Sequence, residues 1–173
     1  AKVGGLTIHG ETIVVETEHT AIDVSEVLGL IIAIEQRGSV PLVRLAWNDP
    51  IQAKAVLDSG AAGVLVPMVN TKADAELAVR MTKYPPLGER GVGLARAQGY
   101  GEHFDEYVRC ANDDSLLMVL IEHKDAVANI DEILSVPGID GTFIGPYDLS
   151  MSLGIPGQLS HPQSVAVRRP RED

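Results

Sequence analysis

Glu122 and Asp148 are the residues of this chain best suited to chemistry. Each closes a short apolar run, LLMVLIE (116–122) and GTFIGPYD (141–148). The stretch between them reads as a helix followed by a turn, so their spacing is one β-α unit. That sets two carboxylates at the same ends of neighbouring parallel strands, where α/β proteins build their sites. Two convergent carboxylates are good ligands for a hard divalent metal. Each also fits the N-cap of the helix that follows it, Asp148 before LSMSLG especially. The metal reading gains from the matched positions and from Gly145-Pro146, a tight bend beside the site.

Three more groups carry chemical potential. His19 follows Glu16 and Glu18 at the end of an apolar run, and an imidazole beside a carboxylate is the commonest general base. Strand alternation puts residues 16 and 18 on one side, so the pattern leaves open which glutamate pairs with it. The bland alternative is a surface histidine. Arg44 lies inside VPLVRLAW (40–47). A buried arginine needs a partner, and its fork suits a carboxylate or phosphate. A structural ion pair meets the same need. Trp47, the only tryptophan, reads as a packing anchor at the strand end or as a pocket wall. GVGLARAQGYG (91–101) is no dinucleotide fingerprint, because its third glycine is misplaced and no strand leads into it. Arg90 and Arg96 beside it are either contacts for an anionic substrate or solvated loop charges.

These residues need elements to hold them. ETIVVETEH (11–19), VPLVRLAW (40–47), AGVLVPMV (62–69), LLMVLIE (116–122) and GTFIGPYD (141–148) are apolar runs bounded by Gly, Pro or charge, as in strands buried on both faces. Between them, 25–38, 49–60, 70–84 and 123–136 carry helical patterns. The second begins with Asp49 as cap and Pro50 at the first helical position, and closes at Gly60. The excursion 85–114 is rich in Gly and charge and turns helical around EHFDEYVRC (102–110). AKVGGLTIHG (1–10) reads as the tail of a helix, and SVAVRRPRED (164–173) as an irregular, disordered tail after a domain over 1–163. Repeated β-α units predict a parallel sheet, either doubly wound or part of a (β/α)8 barrel. A complete barrel takes about 250 residues, and this chain has 173.

Composition narrows the function classes. Hydrophobic residues make up 45% and charged residues 22%, as in ordinary globular proteins. Aromatics are 4%, so Val, Leu, Ile and Ala must build the core. A net charge of −10 argues against a nucleic-acid surface and an anionic membrane. Cys110 is the only cysteine and forms no internal disulfide, which suits a reducing compartment. No apolar run reaches the ~20 residues that span a bilayer and no signal peptide stands at the start, so the expected location is cytoplasmic.

Taken together, ETEH (16–19), VRLAWNDP (43–50), LVPMV (65–69), KYPPLGERGVGLARAQGYG (83–101), LIEHKDAV (120–127) and GTFIGPYDLSMSLGIPGQLSHP (141–162) resemble the HpcH/HpaI aldolase family. These are class II, metal-dependent pyruvate aldolases. The resemblance implies a (β/α)8 TIM barrel of the phosphoenolpyruvate/pyruvate type, assembled as a homo-oligomer, typically a hexamer. It implies Mg2+, Mn2+ or Co2+ held by Glu122 and Asp148, with pyruvate as partner of the ion and an aldehyde as second substrate. It assigns Arg44 to the keto oxygen and the enolate, and His19 with Glu16 to a base dyad. Trp47, Gly145 and Pro146 fall among the substrate-binding positions. The chemistry agrees, because a divalent cation and an arginine stabilise the negative charge of an enolate.

Two residues depart from the family pattern. Relatives usually have Asp at Glu16, and a longer arm moves the carboxylate, where ~1 Å of misplacement can cost ~100-fold. Many have Gln at Leu120. Matched to the family, the chain covers about strands 2–6, without the first and the last two. The expected function is a carbon–carbon lyase acting on 4-hydroxy-2-oxo acids. The alternatives are a catalytically silent barrel fragment serving as a subunit or binding module, and other lyase chemistry on a related 2-oxo acid or acyl-CoA ester.

Overall fold

The computed structural model describes residues 2–3, 6–7 and 11–164. Lys2–Val3 (β1) pairs antiparallel with Leu6–Thr7 (β2). The expected helix tail is therefore wrong at these residues. Two-residue strands are too short for periodicity to reveal. Of the tail expected over 164–173, everything from residue 165 on lies outside the described residues.

Five parallel strands follow: β3 (Thr12–Glu16), β4 (Val40–Arg44), β5 (Gly63–Val66), β6 (Leu116–Ile121) and β7 (Gly141–Ile144). Their order in the sheet is their order in the chain. A doubly wound sheet reverses direction at a switch point. This one does not, and it curls into part of a (β/α)8 barrel. The helices are α1 (Val24–Glu35), α2 (Pro50–Asp58), α3 (Lys72–Thr82), α4 (Phe104–Asp114), α5 (Lys124–Ala128), α6 (Ile130–Leu134) and α7 (Pro146–Ser152). None among the described residues is long and apolar enough to cross a membrane.

Local chemistry explains the helix starts. The Asp23 side chain accepts from the Ser25 amide, and Glu26 reaches back to the Asp23 amide, a capping box for α1. Asp49 accepts from the amides of Ile51 and Gln52, with Pro50 at the first position of α2. The helix expected over 123–136 is divided in two at Asn129. Its φ/ψ of −99° and 13° leave the helical basin, and its Nδ2 donates to the Asn70 carbonyl at 2.9 Å.

Alternation along the strands sorts the core. Val15, Val43, Val64, Val66, Leu117, Val119 and Ile121 face the helices in one large cluster. Leu42, Leu65, Leu116 and Leu120, with Met118 against them, form a smaller cluster on the concave face. The even positions 116, 118 and 120 lead directly to Glu122. Arg44 shares the parity of Leu42 and stands in register with Glu16. The concave face thus changes from leucine to charge at the C-terminal ends of its strands.

Candidate active site

The loop after β3 is shaped by its own side chains. Glu16 Oε1 accepts from the amides of Glu18 (2.7 Å) and His19 (3.3 Å), which curls the chain back over the strand end. Thr17 Oγ1 donates to the Arg44 carbonyl at 2.5 Å and accepts from Gln52 Nε2 at 3.1 Å. Gln52 Oε1 in turn accepts from the Ala46 amide at 2.8 Å. Neighbouring loops are thereby locked together, and Glu16 and Glu18 are both aimed at Arg44.

Arg44 is the hub. Its Nη1 donates to Glu16 Oε2 at 3.0 Å, and its Nη2 lies against Glu122 Oε2 at 3.1 Å and against Glu18 Oε2. One guanidinium meets three carboxylates in a recess where the Arg44 side chain is 15% exposed and that of Glu122 only 1%. Such a cluster is bearable because each charge has a partner at contact distance. The other Glu122 oxygen, Oε1, accepts from the Met68 amide at 2.7 Å. Met68 has φ of +53°, a left-handed conformation uncommon for a residue with a side chain, and this turns its N–H toward the carboxylate.

Gly145 lies beside Glu122 on the next loop. A Cβ there would stand 2.7 Å from both Cβ and Oε2 of Glu122, so any side chain would displace the carboxylate. Pro146 opens α7, and Asp148 sits exposed in its first turn. Its charge is close enough to help raise the Glu122 pKa. Neither carboxylate caps a helix: the cap of α5 is His123 and that of α7 is Gly145.

The three glutamates around Arg44 titrate differently. Burial pushes Glu122 above the usual carboxylate range, the Met68 amide and Arg44 oppose it, and Asp148 adds to it. Burial likewise raises Glu18, against the pull of Arg44 and with a further push from Glu122. Burial acts upward on Glu16 too, but the Glu18 amide and the Arg44 guanidinium prevail and hold it low.

The structure brings together Glu16, Arg44, Glu122 and Gly145, with Asp148 at the rim. His19 is on the exposed side of the same loop, and its Nε2 lies 3.7 Å from Glu18 Oε2. The carboxylate beside the imidazole is Glu18, while Glu16 holds the backbone of that loop and Arg44. Trp47 stands apart, 58% exposed in a shallow apolar recess with Val24, Ile51 and Ala55, which makes it no packing anchor. Leu120 fills the concave face below Glu122. Sequence reading left Glu18 as one of two possible partners of His19 and gave no site role to Met68 or Gln52. The alternation from Glu16 to Glu18 was the available signal for the first. Nothing in residue type marks a backbone amide or a bracing amide side chain.

A cavity of about 720 Å3 lies at the opposite end of the sheet, among Val40, Ala62, Arg96, Tyr107, Cys110 and Ser115. The two loop arginines belong to that end. Arg90 is buried, pairs with Asp58 at 2.7 Å and packs on the Tyr84 ring at 4.6 Å; Arg96 pairs with Glu35. Arg90 is thus a buried structural ion pair, whereas the Arg96–Glu35 pair is partly exposed at the cavity wall. Charge converges instead around Arg44, at the C-terminal ends of the strands, where α/β barrels build their sites.

The donor set fits a hard divalent cation. Among the described residues no three or more of His, Cys, Asp and Glu are grouped to hold a metal ion. Two carboxylates are enough for Mg2+, which keeps waters and takes its remaining ligands from substrate oxygens. Glu122 Oε2 already faces a cationic group, the Arg44 Nη2.

Residues 7–170 match the family model described as HpcH/HpaI aldolase/citrate lyase. A hydroxypyruvate/pyruvate aldolase of Sagittula stellata is 45% identical over 156 residues, covering 90% of this chain and 61% of that protein. A 4-hydroxy-2-oxo-heptane-1,7-dioate aldolase of Klebsiella pneumoniae is 46% identical over 157 residues, covering 90% and 59%. The chain thus spans about three-fifths of the length of these relatives. The crystal structure of an HpcH/HpaI aldolase/citrate lyase family protein from Burkholderia cenocepacia superposes with a TM-score of 0.86 at 34% identity, covering 91% of this chain and 63% of that one.

Proposed function

The chain belongs to the HpcH/HpaI aldolase/citrate lyase family, and on that premise we propose that it carries the catalytic centre of a metal-dependent aldolase. The reaction is cleavage or formation of a 4-hydroxy-2-oxo acid through a pyruvate enolate, with an aldehyde as the other fragment. The observation that carries this reading is the convergence of Arg44 with Glu122, next to Asp148, at the C-terminal ends of parallel strands. An enolate needs fixed positive charge where its oxygen develops, and this end of the sheet supplies it.

Glu122 and Asp148 are the residues that would hold Mg2+, Mn2+ or Co2+. Bound there, the ion supplies Lewis-acid polarisation of the keto group. Arg44 binds the keto oxygen and stabilises the charge that gathers on it as the carbon–carbon bond breaks. Glu16 and Glu18 keep the guanidinium in place from the other side. His19 takes the proton from the 4-hydroxyl, with Glu18 beside its Nε2 to orient the ring. Gly145 and Pro146 leave room next to Glu122 for the 2-oxo acid, while Trp47, in its separate recess, takes no part in this reading. A homo-oligomer is part of this reading, as membership of the family suggests.

Release of pyruvate from a 4-hydroxy-2-oxo acid tests the proposal. Activity lost on chelation, restored by Mn2+ and abolished in Glu122→Ala and Asp148→Ala is the expected result. Full activity after chelation would overturn the metal mechanism.

A further inference from the structure

Glu122 has two oxygens, and both are engaged. Oε1 accepts from the Met68 amide at 2.7 Å, a bond fixed by backbone conformation. Oε2 faces Arg44 Nη2 at 3.1 Å, and on its other side Gly145, with no Cβ, leaves space that any side chain would fill. Oε1 is turned to a backbone amide, so the oxygen that faces the other charged side chains of the site, and that a cation among them meets, is Oε2, which Arg44 holds. Two positive groups on one oxygen repel, so one must yield. Arg44 can yield without losing its neutralisation, because Glu16 Oε2 at 3.0 Å and Glu18 Oε2 remain in contact with the same guanidinium.

We propose that Arg44 and the divalent cation compete for Glu122 Oε2, and that Glu16 and Glu18 serve as the position to which Arg44 retreats. This rests on the reading of Glu122 as a metal ligand. It adds a coupling between two parts of the site: the ion gains Glu122 only as Arg44 leaves it. A 2-oxo acid whose keto oxygen takes up the guanidinium therefore favours ion binding, and the ion favours substrate, by the reciprocity of linked equilibria. Arg44 acts here as a positioning residue for the metal, besides its contact with substrate.

The test is calorimetric titration of Mn2+ into the protein without any 2-oxo acid. About 1 M salt shortens the Debye length to about 3 Å and removes the long-range field of the arginine. Arg44→Gln is expected to bind Mn2+ about tenfold tighter than wild type, the scale of one charged hydrogen bond released. Arg44→Met, which keeps the apolar stem, carries the same expectation if the glutamine variant does not fold. Affinity equal to or weaker than wild type in the folded variant would overturn the competition. Failure of wild type and variant alike to bind Mn2+ would overturn the metal reading itself.

Discussion

At the scale of residues, the site is a problem of charge. Three carboxylates share Arg44, and burial raises two of them, Glu18 and Glu122, while Glu16 is held low. For Glu18 the folded protein binds a proton more tightly than the unfolded chain. Its contribution to stability is therefore greatest in acid and declines as pH rises from the ordinary carboxylate range through the raised value. Glu16 runs the other way: its contribution is present above the ordinary range and is lost as pH falls through its lowered value. Glu18→Gln removes a decline and not a gain. Urea unfolding should show the variant gaining on wild type as pH goes from mildly acidic to neutral, and a difference that stays constant across that range would contradict the raised value. Glu122 and Arg44 were legible in the sequence because a charged residue at the end of a buried apolar run needs a reason. Glu18 was in view, but its choice of partner was not, since alternation gives a face and no distance. The Met68 amide was invisible, because a left-handed φ at a non-glycine residue leaves no mark in residue type.

At the scale of elements, the loops at the C-terminal ends of the strands are held by caps and bracing amides. Asp49 fixes the first turn of α2, which presents Gln52 to the Ala46 amide and the Thr17 hydroxyl. Asp49→Ala should lower stability by about 1 kcal/mol, read as a lower urea midpoint at unchanged slope; an unchanged midpoint would show that the cap is idle. This helix was readable because Asp-Pro at its start and Gly60 after its end are position-specific signals. The five strands were readable as continuous apolar runs, but each ran on past its true end, as at Leu45–Trp47 and Gly145–Asp148. Apolar residues continue into the site loops there, and composition does not register where pairing stops. The division at Asn129 was missed because the apolar spacing of α5 and α6 runs through it, while a tertiary bond to Asn70 sets the break.

At the scale of the whole molecule, strand order decides between the two architectures the sequence left open. Five β-α units wound without reversal build one wall with the charged cluster at its rim. Val14 and Phe143, in register with Leu42 and Leu120 on the concave face, are 43% and 54% exposed at the two edges, whereas Leu42 and Leu120 are buried. The buried charge sits midway between those edges, on β4 and at the end of β6, and the loops around it are bonded to one another. We propose that this wall aims Glu122 and Asp148 at one ion. A crystal soaked with Mn2+ and pyruvate tests it most directly. One anomalous peak within ligand distance of both carboxylates is expected, with Arg44 turned from Glu122 toward the keto oxygen. A Mn2+ peak elsewhere, or on only one of the two carboxylates, would contradict it.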